Sequence, residues 1–233
     1  MTTDTILKDI CQAINLAKGL GINNVSSFFK TGPGQYAQYD QFIPVSVPHL
    51  RLIAKRFLTN DFNVFQKLLN SSINQERLCA LFMMVLYYQK GSVEDKKRLY
   101  TFYCKNFARV NNWNLVDSSA YHIIGHYLYD KDRTLLFKLA KSNNLWKRRI
   151  AIIATLFFIR KNDFSTTLKI AFILLQDEHD LIHKAVGWML REVGKRDKNI
   201  LIDFLKKHKA VMPKVMFRYA VEHLSNADLN FDH

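Results

Sequence analysis

The stretch Asp180 to Lys195, DLIHKAVGWMLREVGK, has two unlike faces when read at helical spacing. Ile182, Val186, Met189 and Val193 fall at i, i+4, i+7 and i+11, with Ala185 and Leu190 beside them. This is the apolar stripe of a helix that packs on other helices. Lys184, Trp188, Arg191 and Lys195 recur at the same spacing on a different face. Trp188 therefore stands in a column of cations, outside the core stripe. An aromatic ring among positive charges suits a surface that meets a polyanion, with phosphates for the cations and a flat or cationic group for the ring. The bland alternative is a tryptophan on the rim of a helix joint with solvated lysines around it.

Working outward, the unit repeats. Five segments carry a small residue three places after a similar position: Arg77 to Ala80, Asp117 to Ala120, Arg148 to Ala151, Lys184 to Gly187 and Phe217 to Ala220. Their starts lie 40, 31, 36 and 33 residues apart. That period, with one helix pair per unit, belongs to a HEAT-like or armadillo-like α-solenoid of stacked antiparallel helix pairs. The small residues are expected where paired helices approach closely. The predicted fold is all-α, a single repeat domain over residues 1–233 with a tail at 225–233. Stacked pairs of this kind curve, and the concave face is where they bind.

Helix signals run along the chain. Thr3 or Asp4 is the expected cap of a first helix ending near Gly19, and a short helix is expected around Asn24–Phe29. Thr31 to Ser46, TGPGQYAQYDQFIPVS, is the one long irregular stretch, broken by Gly32-Pro33-Gly34. Ser46 is the expected cap of a helix with Pro48 in its first turn. Helices follow at 61–69, 74–89, 93–106, 114–129, 133–141, 145–160, 165–175, 181–195, 199–208 and 213–224. Ser92-Val93-Glu94-Asp95 reads as a capping box with Asp in place of the usual Glu. The apolar run Ile150–Ile159 has the length of a helix and a flanking helical rhythm, which favour helix over buried strand.

Composition narrows the function. With 48% hydrophobic residues and a mean hydropathy of −0.12, the 233-residue chain has enough apolar material for a sizeable core. No apolar run reaches membrane-spanning length, and the N-terminus MTTDTILKDICQ is not a signal peptide. Three cysteines, Cys11, Cys79 and Cys104, with no CxxC spacing, argue against a disulfide framework or zinc site and fit a reducing cytoplasm. The net charge is +14 and uneven: residues 141–218 hold 17 Lys and Arg against 7 Asp and Glu. A cationic C-terminal half points to nucleic acid or an anionic membrane surface.

Two further stretches carry chemistry. In NNWNLVDSS, residues 111–119, Trp113 and Asp117 are i, i+4 neighbours on one helix face. On a helical wheel Asp117 falls beside Ile124 and Leu128, toward the apolar side, where a carboxylate needs a partner or a task. The alternative is an acid at a helix start making a local hydrogen bond. In LWKRRIA, residues 145–151, three cations at a helix start run against the helix dipole and point to phosphate contacts. The alternative is a structural arginine satisfying Asp117 or backbone carbonyls. His122/His126 and His179/His183 have metal-pair spacing, but no third ligand is placed to finish a set.

NNWNLVDSS, LWKRRIAIIA and HKAVGWMLREVGKRD, in that order and at these intervals, resemble the AlkD family of DNA alkylation-repair glycosylases. GPGQYAQYDQFIPVSVPHLR is similar to the family's glycine-rich segment before a Pro-containing helix. The resemblance covers residues 20–224. It implies a HEAT-like solenoid cradling duplex DNA in a basic concave cleft, and excision of positively charged N3- and N7-alkylated purines without base flipping. It implies Trp113, Asp117 and Trp188 as catalytic residues, with Arg149 on a phosphate. Arg148, Lys184, Arg191 and Lys195 join Arg149 as expected DNA contacts. The sequence departs from the family at Phe42-Ile43-Pro44, at Phe28 and at Ser46, positions that bear on substrate range and affinity.

An alkylated purine is already a good leaving group, so no strong general acid is needed. Its departure leaves an oxocarbenium-like sugar that a carboxylate stabilises. The expectation is a monomeric, cytoplasmic DNA glycosylase, nucleoid-associated if bacterial, that acts on duplex DNA with no metal, no organic cofactor and no membrane. A non-catalytic HEAT-like nucleic-acid-binding module and a protein-binding solenoid are the alternatives.

Overall fold

The computed structural model describes residues 2–19, 28–225 and 228. Among them every regular element is helical, and the one strand-like contact is an isolated bridge between Gln41 and Ile73. The contacts divide into two compact units, residues 1–119 and 120–233.

The first unit is built around α4 (Asn74–Lys90). Its middle, LCALFMMV at 78–85, is apolar on all sides and wholly buried. Such a helix needs neighbours on every face. α2 (Val47–Arg56), α3 (Phe62–Leu69) and α5 (Val93–Lys105) pack on it, and α1 (Thr3–Leu16) packs against α2, α3 and α4. Short turns join α3 to α4 and α4 to α5, so these neighbours run antiparallel. Local chemistry sets the ends. The first cap is Thr2, one residue earlier than expected, its side chain accepting from the Thr5 N–H. Asp61 caps α3 and also accepts a 2.5 Å bond from the Thr3 hydroxyl, which ties α1 to α3. The Ser92–Asp95 capping box is present, with Asp serving as the reciprocal acceptor. Ser46 occupies the cap position of α2, but its hydroxyl pairs with Nδ1 of His49 at 2.7 Å and not with a backbone N–H.

The second unit is built around α12 (Asp180–Arg196), which packs on α9 (Leu145–Ala154), α10 (Leu156–Arg160), α11 (Ser165–Ile173), α13 (Lys198–His208) and α14 (Lys214–Ala220). Ile182, Ala185, Val186, Met189, Leu190 and Val193 are all fully buried, so the stripe faces the core as read. The small residues of the repeat, Ala80, Ala120, Ala151, Gly187 and Ala220, are all buried. Gly187 sits where α12 crosses α14: a Cβ there would lie 2.5 Å from both the Met216 carbonyl oxygen and the Tyr219 Cβ.

Two expected long helices are interrupted. The helix expected over 114–129 is α6 (Trp113–Ala120), a π-helical segment (Tyr121–Gly125) and a last turn, α7 (His126–Leu128). Gly125 packs on the carbonyl of Ala154, closer than any side chain would permit. The helix expected over 145–160 breaks at Thr155, whose hydroxyl donates to the Ile152 carbonyl at 2.7 Å, separating α9 from α10. α8 (Thr134–Ala140) lies as expected and packs on α9. The expected helix around Asn24–Phe29 lies mostly outside the described residues, as does most of the tail 225–233.

Candidate functional site

In the first unit, Trp113 begins α6 and Asp117 follows one turn later, both half-buried. Asp117 engages other groups of the protein. Asp117 is half-buried, whereas Ile124 and Leu128 are buried, and the π-helical turn at 121–125 interrupts the regular helical register after α6. The Trp113 ring stacks on Phe29 with centroids 5.1 Å apart and planes 16° apart, and Phe29 stacks on Phe42 at 4.5 Å. Phe42 comes from the irregular stretch, so one aromatic column joins that stretch to α6. Ser119, on the buried side of α6, bonds to the Tyr103 hydroxyl at 2.7 Å. Burial holds the Tyr103 phenol well above its ordinary range, so it remains neutral.

A polar cluster holds the first turn of α6, which Trp113 opens. Asp40, within the irregular stretch, accepts from Arg77 at 2.6 Å, from the Asn112 amide at 2.8 Å and from the Asn74 amide at 3.2 Å. The Asn112 carbonyl oxygen accepts the Trp113 backbone N–H at 2.8 Å and so caps α6. Asn114 donates to Asn74 at 2.7 Å, linking the first turns of α6 and α4. Asn74, Arg77 and Asn112 are buried. No spacing in the sequence marks Asp40, Asn74, Asn112 or Asn114, and Arg77 stands out there only as a repeat position. The signal available was the density of amides in NNWN.

In the second unit, Trp188 is half-buried and off the apolar stripe, with Lys184 and Arg191 half-buried and Lys195 exposed. Each of these cations has an acidic neighbour: Lys184 with Asp180 at 3.2 Å, Lys195 with Glu192 at 2.8 Å, and Arg191 with Glu222. Arg148 holds Asp177 through Nε at 2.6 Å and donates to the Ser142 carbonyl. Arg149 is buried and donates to the Leu181 carbonyl at 2.5 Å. Both arginines thus anchor α9 to the segment that opens α12. Lys147, between them and the aromatic Trp146, makes no ion pair among the described residues. It is a cation that the sequence reading did not single out individually.

The other reactive groups are quiet. His179 caps α12 through Nδ1, and His183 bonds the Asp177 carbonyl. Among the described residues no group of three or more His, Cys, Asp or Glu is placed to hold a metal ion. Burial, with Glu76 adding to it, pushes the Cys11 thiol up to about 12; burial and the nearby Cys11 and Glu76 do the same to Cys79. Burial raises Cys104 to about 11, so none offers a thiolate near neutral pH. No described helix is long and apolar enough to cross a membrane.

Comparison with known proteins gives three findings. A family profile described as DNA alkylation repair enzyme matches residues 15–224. A solved structure from Enterococcus faecalis, described as a predicted DNA alkylation repair enzyme, superposes with a TM-score of 0.64 at 18% identity, covering 86% of this chain and 93% of its own. A second, smu.31 from Streptococcus mutans UA159, gives a TM-score of 0.55 at 16% identity over 96% of this chain and 98% of its own. No curated protein matches the chain.

Proposed function

Since the chain belongs to the DNA alkylation repair enzyme family, we propose that it is a DNA glycosylase that hydrolyses the N-glycosidic bond of N3- or N7-alkylated purines in duplex DNA, without flipping the base. The observation that carries this reading is the Trp113–Asp117 pair: a carboxylate and an indole one helical turn apart, with the indole fixed by stacking on Phe29 and by the cap beneath it. The alkylated purine carries a positive charge. When its bond to C1′ breaks, the electron pair leaves with the base, which becomes neutral, and the charge passes to the sugar. Asp117 stabilises that charge and orients a water, which adds to C1′ and releases its proton to solvent. Trp113 presents an electron-rich face to the positive sugar or base, a role that the family resemblance also gives to Trp188.

Lys184, Arg191 and Lys195 serve as phosphate contacts by exchanging their acidic neighbours for DNA. Lys147 joins them. Arg148 and Arg149 hold the start of α12, and with it Trp188. No group in this scheme calls for a metal or organic cofactor. The protein acts as a monomer in the cytoplasm. The test is direct: incubate the purified protein with methylated duplex DNA and measure released 7-methylguanine and 3-methyladenine. Duplex binding without release of either base would move the protein to the binding-module reading.

A further inference from the structure

We infer that Asp40 is a positioning residue for the Trp113–Asp117 pair, acting through Asn112; the inference rests on the glycosylase reading only for its kinetic consequence. Asp40 lies outside the helices, yet its carboxylate takes three donors from two of them: Arg77 and Asn74 on α4, and Asn112 at the cap of α6. The amide of Asn112 is thereby oriented. With its nitrogen held by Asp40, its oxygen faces the Trp113 N–H. This settles which way the amide points, because the reversed amide would set its oxygen against a carboxylate. The Asn74–Asn114 bond fixes the same turn a second time. The ring of Trp113 stacks on Phe29, which stacks in turn on Phe42, and Phe42 is two residues from Asp40.

The irregular stretch therefore sets α6 at both the backbone and the ring. It is itself clamped, by bonds from Gln41 N–H to the Ser72 carbonyl and from Asn74 N–H to the Gln41 carbonyl. Rotation about the axis of α6 is what decides where Trp113 and Asp117 point. A cluster that fixes the first turn fixes that rotation.

The test uses Asp40→Asn in the full chain, with wild type and Asp117→Asn alongside. Asn keeps the size but offers one acceptor oxygen where three donors converge. Single-turnover excision is expected to slow roughly 10- to 100-fold, the scale of a small misplacement of reacting groups. Affinity for undamaged duplex should stay within about twofold, because no phosphate contact is touched. Protein labelled with 5-fluorotryptophan gives a second readout that needs no activity. Of the resonances of its three tryptophans, that of Trp113, identified through Trp113→Phe, should move, and those of Trp146 and Trp188 should not. A folded Asp40→Asn with the wild-type rate and an unmoved Trp113 resonance overturns the inference. If wild type releases no base, the glycosylase reading fails by itself, and the fluorine spectrum alone decides whether Asp40 positions Trp113. If Asp40→Asn does not fold, Asn112→Ser retains a capping oxygen and loses the amide link to Asp40; the same slowing and shift are expected, and their absence overturns the inference.

Discussion

Asp40 and Arg77 form an ion pair 2.6 Å long across 37 positions of sequence, with side-chain exposures of 7% and 4%. Removing both charges from water offsets most of their attraction, so such a pair adds little net stability over apolar packing, but breaking it strands a buried charge. Arg77→Met is expected to destabilise the protein by about 3–5 kcal/mol, read from urea midpoints. The double variant Arg77→Met/Asp40→Asn, which removes both charges and keeps an acceptor for the Asn112 amide, should recover part of that loss. A single variant as stable as wild type would show that water reaches the pair.

Asp117→Asn keeps the shape of the side chain and removes its charge. If the carboxylate stabilises the developing sugar cation, excision should slow about 100-fold or more, the scale of losing one preorganised electrostatic group. Duplex binding should hold or tighten, since a negative charge facing phosphates is gone. Melting temperature should stay close to wild type. Lower stability with undiminished excision per folded molecule would take Asp117 out of the mechanism.

Duplex binding should be insensitive to sequence and fall steeply with salt, because phosphates carry it. Lys184→Ala and Lys195→Ala should each reduce the slope of log affinity against log salt by about 1. Arg148→Ala should act differently. Its guanidinium holds Asp177, so its loss should lower the melting temperature before it changes the slope. A fluorescence-anisotropy titration across salt separates the two behaviours.

At Gly187 an added methyl has nowhere to go: the Met216 carbonyl and the Tyr219 Cβ are both 2.5 Å from the place it would occupy. One of these is backbone, so α12 and α14 must move apart. Gly187→Ala should cost about 1–3 kcal/mol, the usual range for overpacking, despite Ala being the better helix former. An unchanged melting temperature would mean that the crossing is looser than its geometry.

Alkaline pH should weaken the fold through its thiols. An unfolded cysteine titrates near 9, whereas Cys11 and Cys79 keep their protons up to about 12 and Cys104 up to about 11. Above pH 9 the unfolded chain releases protons that the folded chain retains, so stability falls as pH rises from 9 toward 12. Urea midpoints collected over the lower part of that window should drop, and Cys79→Ala should drop less steeply. Identical slopes would remove Cys79 from the effect.

The fold was legible where the information is local. The α12 stripe, the Ser92–Asp95 box and the small residue at the α12–α14 crossing follow from spacing along one helix. The Trp113–Asp117 pair is likewise an i, i+4 reading. The Asp40 cluster was not legible, because its partners lie 34, 37 and 72 positions away and no periodicity links them. Nor was the compensation of Arg191 by Glu222, which comes from beyond α14. The breaks at 121–125 and 155 were hidden for another reason. An apolar helical rhythm looks the same whether the backbone bonds to i−4 or slips to i−5 over one turn.

That slip carries an implication for the history of the chain. A π turn accommodates one residue more than an α turn of the same direction, so the segment Tyr121–Gly125 has the form of a single-residue insertion absorbed without displacing the helix beyond it. Gly125 still meets the Ala154 carbonyl, and Ile124 and Leu128 still reach the core. Inserting a residue elsewhere in the helix would turn every later side chain by about a quarter turn or more and bring Gly125's place to a residue with a side chain. The π turn is thus the place in this helix where one residue more or less would disturb the packing beyond it least.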